Sequence, residues 1–248
     1  MSVFVDARGT GSPVILSHGA GADSRMFTAL QQLLADSGFR AIRWDLPGHA
    51  GSHGPFSVSA ALDALGEIVA GCDRPVLVGQ SLGGNLSQEF VRRHPSSVRG
   101  LAIIGSAWNQ GPLTGLDRLL LSLTRPCLMS AREAGLPQMM AKASAATPAG
   151  RLYAETAFGA LSRREFAAIF HATTTLLDPD PAYRTPVPLL LMRGSLDRTG
   201  NISRALPRWA AAEGITEHVI DGAGHIANVD DPAAVARVLV PWLRSLGA

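Results

Sequence analysis

Short apolar runs alternate with longer amphipathic stretches along most of this 248-residue chain. A strand that is covered on both faces reads as a nearly unbroken apolar run, so the short runs predict buried parallel strands. They lie at residues 3–5, 13–17, 40–44, 75–79, 101–105, 187–192 and 217–220. The alternation predicts an α/β fold with a mostly parallel central sheet of about seven strands, flanked by helices.

The amphipathic stretches predict helices because their apolar residues recur at the spacing of one helix face. These stretches are residues 26–37, 58–70, 82–94 and 232–246. Pro232 opens the last stretch at a position that favours proline, whereas Pro241 is expected to kink or stop this helix.

The alternation stops between residues 108 and 185, where helical periodicity is cut by Pro and Gly and no strand is predicted. A stretch this long is unusual for a plain loop. Ser162 and Glu165 have the spacing of a capping box, which predicts that a helix begins there. We therefore predict a core of residues 1–107 and 186–248, with residues 108–185 inserted as a helical cap, or lid.

Composition and charge exclude several classes of protein. Hydrophobic residues make up 46% of the chain and charged residues 17%, which excludes a disordered chain. The formal net charge is +2 and like charges are not clustered, so no nucleic-acid partner is expected. The two cysteines, Cys72 and Cys127, form no metal-binding pair motif. Because the chain shows no signal-peptide pattern and no apolar run of about 18 residues, we expect a cytoplasmic protein with no membrane partner.

Residues 79–84 read Gly-Gln-Ser-Leu-Gly-Gly, between a predicted strand and a predicted helix. A Gly-x-Ser-x-Gly motif alone is a weak signal, but on a strand-to-helix turn it predicts an exposed nucleophile at the carboxyl end of the sheet. Side chains at Gly79 and Gly83 would collide with the strand and helix that crowd such a turn. Ser81 is therefore the candidate nucleophile, and the alternative is a tight turn without chemistry.

With this motif the chain resembles the α/β-hydrolase superfamily over nearly its whole length, in the capped serine esterase and lactonase branch that includes enol-lactonases. Four further motifs carry the resemblance. They are Ser-His-Gly-Ala-Gly at residues 17–21, Asp-Leu-Pro-Gly-His at 45–49, Gly-Ser-Leu-Asp at 194–197 and Gly-Ala-Gly-His at 222–225. The resemblance implies an α/β-hydrolase fold with a helical cap insertion. Ala50 departs from the family pattern, because glycine is usual there.

A serine hydroxyl needs a base that removes its proton, and the base needs a carboxylate that orients it. Among the seven histidines, His225 lies in a glycine-rich loop after the last predicted strand, from which its ring can reach the sheet edge. Asp197 follows the strand at residues 187–192, whereas the stretch after residues 101–105 offers no acid. The order Ser81, Asp197, His225 is the one expected of a catalytic triad on this fold.

The resemblance also implies an oxyanion hole made of two backbone amides. The family's donors are the amide after the nucleophile and one in the His-Gly loop, which map onto Leu82 and Ala20. Because only their amides act, Leu82→Ala is expected to matter little, and Ala20→Pro is expected to remove a donor. His18 is expected to support the loop rather than to react.

Two other kinds of site match parts of the sequence. Residues 18–24 nearly follow the glycine pattern of a dinucleotide site, with Asp45 at the end of the next strand, but Ser24 replaces the third glycine. His49 and His53 have i, i+4 spacing, yet the proline and glycines around them oppose the helix that would align two metal ligands. We therefore expect no cofactor and no metal.

The predicted function is cofactor-free hydrolysis of a small carboxylic ester or lactone through an acyl-enzyme intermediate. Carbon–carbon bond hydrolysis on the same triad is an alternative, and so is a small-molecule receptor with negligible turnover. Substrate choice is expected to come from the cap and from the helix start after the His-Gly loop. The residues expected to line the pocket are Arg25, Trp108, Met139, Met140, Phe158, Phe166 and Phe170. Each is equally compatible with a core role or, for Arg25, with a place on the surface.

Overall fold

A computed structural model describes residues 3–130 and 135–247. The described residues form one sheet of seven strands: β1 Val5–Arg8, β2 Pro13–Ser17, β3 Arg40–Trp44, β4 Val76–Gln80, β5 Gly100–Ile104, β6 Leu189–Gly194 and β7 Glu217–Ile220. The strand order is β1-β3-β2-β4-β5-β6-β7. β1 runs antiparallel to β3, and the other neighbours are parallel. The predicted fold class and the predicted seven-stranded, mostly parallel sheet are confirmed.

Helices cover both faces of the sheet. The described α-helices are α1 Thr28–Asp36, α2 Val58–Ala70, α3 Leu82–Arg93, α4 Gly115–Ser130, α5 Leu136–Ser144, α6 Pro148–Gly159, α7 Arg163–Thr175, α8 Ile202–Glu213, α9 Ala227–Asp230 and α10 Pro232–Ser245. A short 3₁₀ turn, Ser24–Phe27, precedes α1. In the described part of the chain, no helix is both long enough and apolar enough to cross a membrane.

The inner strands β2 to β6 are mostly buried on both faces, so their side chains enter two separate cores. In β4, Val76 and Val78 belong to one core and Leu77 to the other. Residues of α1 and α10 complete the first core, and residues of α2, α3 and α8 complete the second. Burial on both sides removes any polar alternation, and it explains why the strands read as unbroken apolar runs.

The first strand differs from its prediction. We expected it at residues 3–5, but β1 begins at Val5 and runs to Arg8. Antiparallel pairing with β3 determines its position, with Val5 opposite Trp44 and Arg8 opposite Ala41. β1 is an edge strand whose residues are mostly exposed, so it lacks the apolar run that identifies a buried strand.

Pro241 was expected to kink or stop the last helix, and a stop is wrong, because α10 continues to Ser245. Pro241 lies on the exposed side of the helix, where water can bind the carbonyl that the proline leaves without a donor. Leu239 and Leu243, one on each side of the proline, are fully buried. Packing of this apolar face outweighs the lost backbone hydrogen bond.

Between β5 and β6 the described residues contain four helices, α4 to α7, and no strand. The capping box expected at the start of α7 is present, since the Glu165 amide donates to the Ser162 hydroxyl and the Ser162 amide donates to the Glu165 carboxylate. The division into a core of residues 1–107 and 186–248 and a cap of residues 108–185 remains a prediction.

Candidate active site

Ser81 lies on a sharp turn between β4 and α3. Its φ of 49° and ψ of −118° are strained for a residue with a side chain and cost on the order of 1–3 kcal/mol. A Cβ on Gly79 would lie 2.5 Å from the Gly83 carbonyl oxygen, and a Cβ on Gly83 would lie 2.1 Å from that of Ser17. The turn therefore tolerates only glycine at these two positions, which is the steric reason for the motif.

The structure places His225 within hydrogen-bond distance of both Ser81 and Asp197. His225 Nε2 lies 3.0 Å from Ser81 Oγ, and His225 Nδ1 lies 3.0 Å from Asp197 Oδ2. Because a carboxylate only accepts, Nδ1 carries the proton, and Nε2 is left to accept from the serine hydroxyl. His225 is 7% exposed and Asp197 3%. This arrangement can take a proton from Ser81.

Asp197 is held in its ionised form. Burial raises the pKa of this carboxyl, but the charge and hydrogen bond of His225 and the hydrogen bonds of Thr199 outweigh burial and place the pKa below its usual range. The Thr199 amide donates to Asp197 Oδ1 at 2.8 Å. An ionised Asp197 stabilises the positive charge that His225 acquires when it takes up a proton.

Two side chains that the sequence analysis did not single out hold the loop that carries His225. The Gln80 side-chain amide donates to the His225 carbonyl at 3.1 Å, and Asp230 accepts from the Gly224 amide at 2.8 Å. Gln80 is the variable residue before Ser81 in the Gly-x-Ser-x-Gly motif, and this position indicated that it lies near the candidate nucleophile. Asp230 carried no such signal, because its partners lie partly in the segment at residues 146–147, which is distant in sequence.

Asp230 also ties the segment between α5 and α6 to the loop after β7. Its Oδ2 accepts from the Ala146 amide at 2.9 Å, and its Oδ1 accepts from the Thr147 amide at 2.9 Å and from the Thr147 hydroxyl at 2.7 Å. The Ile226 amide adds a hydrogen bond to the Ser144 carbonyl at 3.1 Å. One carboxylate therefore fixes the α5–α6 segment against the loop that carries the candidate base.

The backbone amides of Ala20 and Leu82 are free to donate near Ser81. Ala20 lines the same cavity as Ser81 and His225, and its amide makes no hydrogen bond to a described residue. Leu82 is the first residue of α3, where an amide has no partner within the helix. The Leu82 side chain is fully buried, so Leu82→Ala would cost about 2–5 kcal/mol of stability even though the amide remains. The expectation that this change matters little therefore concerns the amide donor and not the stability of the protein.

Two buried histidines join the loop that carries Ala20 to the loop after β3. His18 Nε2 accepts from the Leu46 amide at 2.9 Å, and His49 Nε2 accepts from the Gly21 amide at 3.3 Å. Each ring donates from Nδ1 to a backbone carbonyl, at 2.8 Å and 3.0 Å respectively. Burial lowers the pKa of both rings, and for His49, where the charge of His18 adds to burial, the value falls to about 3. Both rings are neutral supports of this loop.

A cavity of about 520 Å³ opens beside Ser81 and His225. This volume suits a small ligand. Met140 and Phe166, two of the residues predicted to line a pocket, line this cavity. The other aromatic residues of its wall are Phe158 and Phe170, which had been expected there as well.

Three residues expected in the pocket lie outside this cavity. Trp108 is buried against Trp209, with the ring planes 2° apart and the centroids 5.9 Å apart, so it belongs to the core. The Met139 side chain is exposed, because it lies on the opposite side of α5 from the buried residues. Arg25 folds back onto Asp23, with a distance of 2.7 Å between Nη2 and Oδ2. The expected place of Arg25 in the pocket wall is therefore not supported by the geometry.

A second cavity, of about 270 Å³, also reaches Ser81. Its wall includes Leu121, Phe170, Leu177 and Ile202 and is mainly apolar. Ser81 thus lies between two cavities, of which only the larger one touches His225 and Ala20.

The dinucleotide alternative is not supported by Asp45. Its Oδ1 accepts from the Ser24 amide at 2.7 Å and its Oδ2 from the Gly51 amide at 2.9 Å, so both oxygens are engaged within the chain. Among residues 3–130 and 135–247, no group of three or more His, Cys, Asp or Glu side chains could hold a metal ion.

The sequence profile of the alpha/beta hydrolase family matches residues 14–238, which include every residue of the site described above. The chain belongs to the alpha/beta hydrolase family. The chain is also similar to a pimeloyl-[acyl-carrier protein] methyl ester esterase from Chromobacterium violaceum, with 34% identity over 110 residues. That alignment covers 43% of this alpha/beta hydrolase and 42% of the esterase, so it spans less than half of either protein.

Two solved structures resemble this alpha/beta hydrolase over nearly their whole length. One is a thermophilic esterase from Thermogutta terrifontis, with a TM-score of 0.81, 22% identity, and coverage of 99% of this chain and 94% of that one. The other is the enol-lactonase from Burkholderia xenovorans LB400, with a TM-score of 0.79, 20% identity, and coverage of 98% and 96%. At this identity the resemblance establishes the fold.

Proposed function

We propose that this alpha/beta hydrolase cleaves a small carboxylic ester or lactone through an acyl-enzyme intermediate on Ser81. The observation that carries the proposal is the hydrogen-bonded series Ser81–His225–Asp197 at the wall of a cavity of about 520 Å³. Similarity to an esterase in sequence, and to an esterase and an enol-lactonase in fold, supports ester hydrolysis in general.

In the first half of the reaction, Ser81 Oγ attacks the carbonyl carbon while His225 Nε2 takes the hydroxyl proton. The carbonyl oxygen becomes an oxyanion, which accepts hydrogen bonds from the amides of Ala20 and Leu82. His225 then gives its proton to the leaving alkoxide, the carbon–oxygen bond breaks, and the acyl group stays on Ser81. For a lactone the alkoxide belongs to the same molecule and remains attached to the acyl chain.

In the second half, water takes the place of the alcohol. His225 removes a proton from water, and the resulting hydroxide attacks the acyl carbon. The same two amides hold the second oxyanion. When the intermediate collapses, His225 returns the proton to Ser81 Oγ, and the carboxylic acid leaves. Asp197 orients the ring and stabilises its positive charge in both halves.

The test is hydrolysis of p-nitrophenyl butyrate by the wild type, Ser81→Ala and Asp197→Asn. We expect Ser81→Ala to lose measurable turnover and Asp197→Asn to fall about 10⁴-fold, because the wrong tautomer of His225 is then favoured. Ser59→Ala, which changes an exposed serine on α2, is the matched control and should keep full activity.

A fluorophosphonate probe gives an independent readout. It should add its mass to the wild type and to Ser59→Ala, but not to Ser81→Ala. Full turnover by Ser81→Ala, or labelling of that variant at the wild-type rate, would overturn the proposal.

A further inference from the structure

Three cationic side chains line the cavity beside Ser81, and they come from three separate segments. Lys142 lies on α5, Arg151 on α6, and Arg198 in the loop after β6. No described Asp or Glu lines the same cavity. Charged residues of both signs are almost equal in number over the chain, with 22 Lys and Arg against 20 Asp and Glu. The cavity wall is therefore locally positive in a protein that is nearly neutral.

The three cations form no ion pair with any carboxylate of the described residues. Other arginines of the structure do, for example Arg43 with Asp6 at 2.8 Å. The Arg151 guanidinium instead donates to the carbonyls of Ala145 and Ala146, at 3.1 and 3.2 Å, which leaves its charge uncompensated. The positive charge at the cavity is thus available to a ligand.

The rest of the cavity wall strengthens the effect of these charges on a ligand. Phe158, Phe166, Phe170 and Met140 make much of the remaining wall apolar. A concave site with low-dielectric walls focuses the field of charges at its rim and raises the local concentration of ligands of opposite sign. The carboxylate of Asp197, although near, is engaged with His225 and Thr199 and does not line the cavity.

We propose that the substrate of this site is an anionic ester or lactone, whose carboxylate or phosphate group is held by Lys142, Arg151 and Arg198 while its acyl carbon lies at Ser81. This inference rests on the proposed function and names the substrate class of that site. The three cations act on binding and orientation and take no part in proton transfer. Because all three are exposed at the rim, each contributes modestly and its effect is screened by salt.

The experiment compares esters that differ in one charge. On the acyl side, p-nitrophenyl hydrogen glutarate is compared with p-nitrophenyl pentanoate, and the phosphonate analogue of the glutarate ester distinguishes phosphate from carboxylate recognition. On the alcohol side, 4-(butanoyloxy)benzoate is compared with phenyl butanoate. The readout is the ratio of kcat/KM for the anionic ester to that for its neutral partner, so differences in intrinsic reactivity cancel between enzyme variants.

The variant is Lys142→Gln/Arg198→Gln, which leaves the backbone contacts of Arg151 intact. Its matched control is Arg237→Gln/Arg244→Gln, which removes the same net charge from the exposed side of α10, outside the cavity. In at least one substrate pair we expect the ratio to fall about tenfold in the cavity variant and less than twofold in the control. Raising the salt concentration should lower the wild-type ratio towards that of the cavity variant.

Free glutarate provides a binding readout that does not depend on turnover of an anionic ester. It should inhibit hydrolysis of the neutral pentanoate ester competitively, and more strongly than pentanoate does, in the wild type but not in the cavity variant. Equal ratios in the wild type and the cavity variant for both substrate pairs would overturn the inference while leaving the ester hydrolase standing. Absence of Ser81-dependent turnover of every ester would instead overturn the proposed function.

Discussion

Acid should destabilise this protein through His49, whose ring is buried and neutral in the folded state. Its Nε2 accepts from the Gly21 amide, so a proton on that nitrogen would break the bond and place two donors face to face. The nearby carboxylate of Asp23 attracts a protonated ring, but this attraction is weaker than the cost of burial. The perturbation that isolates this effect is His49→Gln, which keeps an acceptor oxygen but cannot take up a proton.

The size of the effect follows from the two pKa values. In the folded state the pKa of His49 is about 3, against 6.5 for an unperturbed histidine. The unfolded chain therefore binds a proton as the pH falls below 6.5, while the folded chain does not until the pH approaches 3. The contribution of neutral His49 to stability is fully present above pH 6.5 and is lost as the pH falls from 6.5 towards 3. At a pH of about 4.5 the two units of difference correspond to about 3 kcal/mol of lost unfolding free energy.

Urea denaturation at pH 7 and at pH 4.5 measures this loss. The fall in unfolding free energy should be about 3 kcal/mol larger for the wild type than for His49→Gln. His18, whose pKa burial also lowers, adds a loss of the same sign that remains in both proteins. His53→Gln changes an exposed histidine of the same turn and should behave like the wild type. An equal pH dependence in the wild type and His49→Gln would refute the reasoning, because it would mean that His49 is not held neutral by the fold.

Three further changes test the turn and the loop around the site. Ser81→Gly should be about 1 kcal/mol more stable than Ser81→Ala in thermal melts, because both lose the hydroxyl but only glycine relieves the positive φ. Gly83→Ala should lower the melting temperature by many degrees or prevent folding, since the new Cβ would lie 2.1 Å from a carbonyl oxygen, whereas Gly115→Ala, with no atom within 4 Å of the new Cβ, should melt like the wild type. Asp230→Asn should cost about 2 kcal/mol and reduce kcat, because an amide donor would face backbone donors on both sides of the loop; unchanged stability and kcat would show that this carboxylate does not hold the loop.

The strands and helices were largely predictable from the sequence because each depends on neighbours along the chain. β2 and β3 begin and end where their apolar runs do, and α2 occupies the predicted residues. The turn at Ser81 belongs to the same class, since its steric crowding requires glycine at fixed spacing. β1 was misplaced because an edge strand takes its position from a partner strand that is distant in sequence.

The geometry of the site was decided by the tertiary structure. The order of the motifs along the chain predicted Ser81, Asp197 and His225. Only the packing of β4, β6 and β7 in one sheet places the His225 ring nitrogens 3.0 Å from Ser81 Oγ and from Asp197 Oδ2. The roles of Gln80 and Asp230 had no counterpart in any motif spacing.

The cavity wall shows most clearly which features the sequence predicted and which depended on the tertiary structure. Met140 and Phe166 line it, whereas Trp108 and Met139, chosen on the same grounds, do not, because apolar spacing identifies a helix face without revealing what that face contacts. The net charge of +2 does not reveal where the charges lie, whereas the fold gathers three cations at one cavity. The sequence by itself thus determined the sheet, its helices and the turn that carries Ser81, because these arise from local patterns. The distances that join Ser81, His225 and Asp197, the supports of the His225 loop and the charge of the cavity were decided by tertiary structure, because they depend on side chains that converge from segments far apart in the chain.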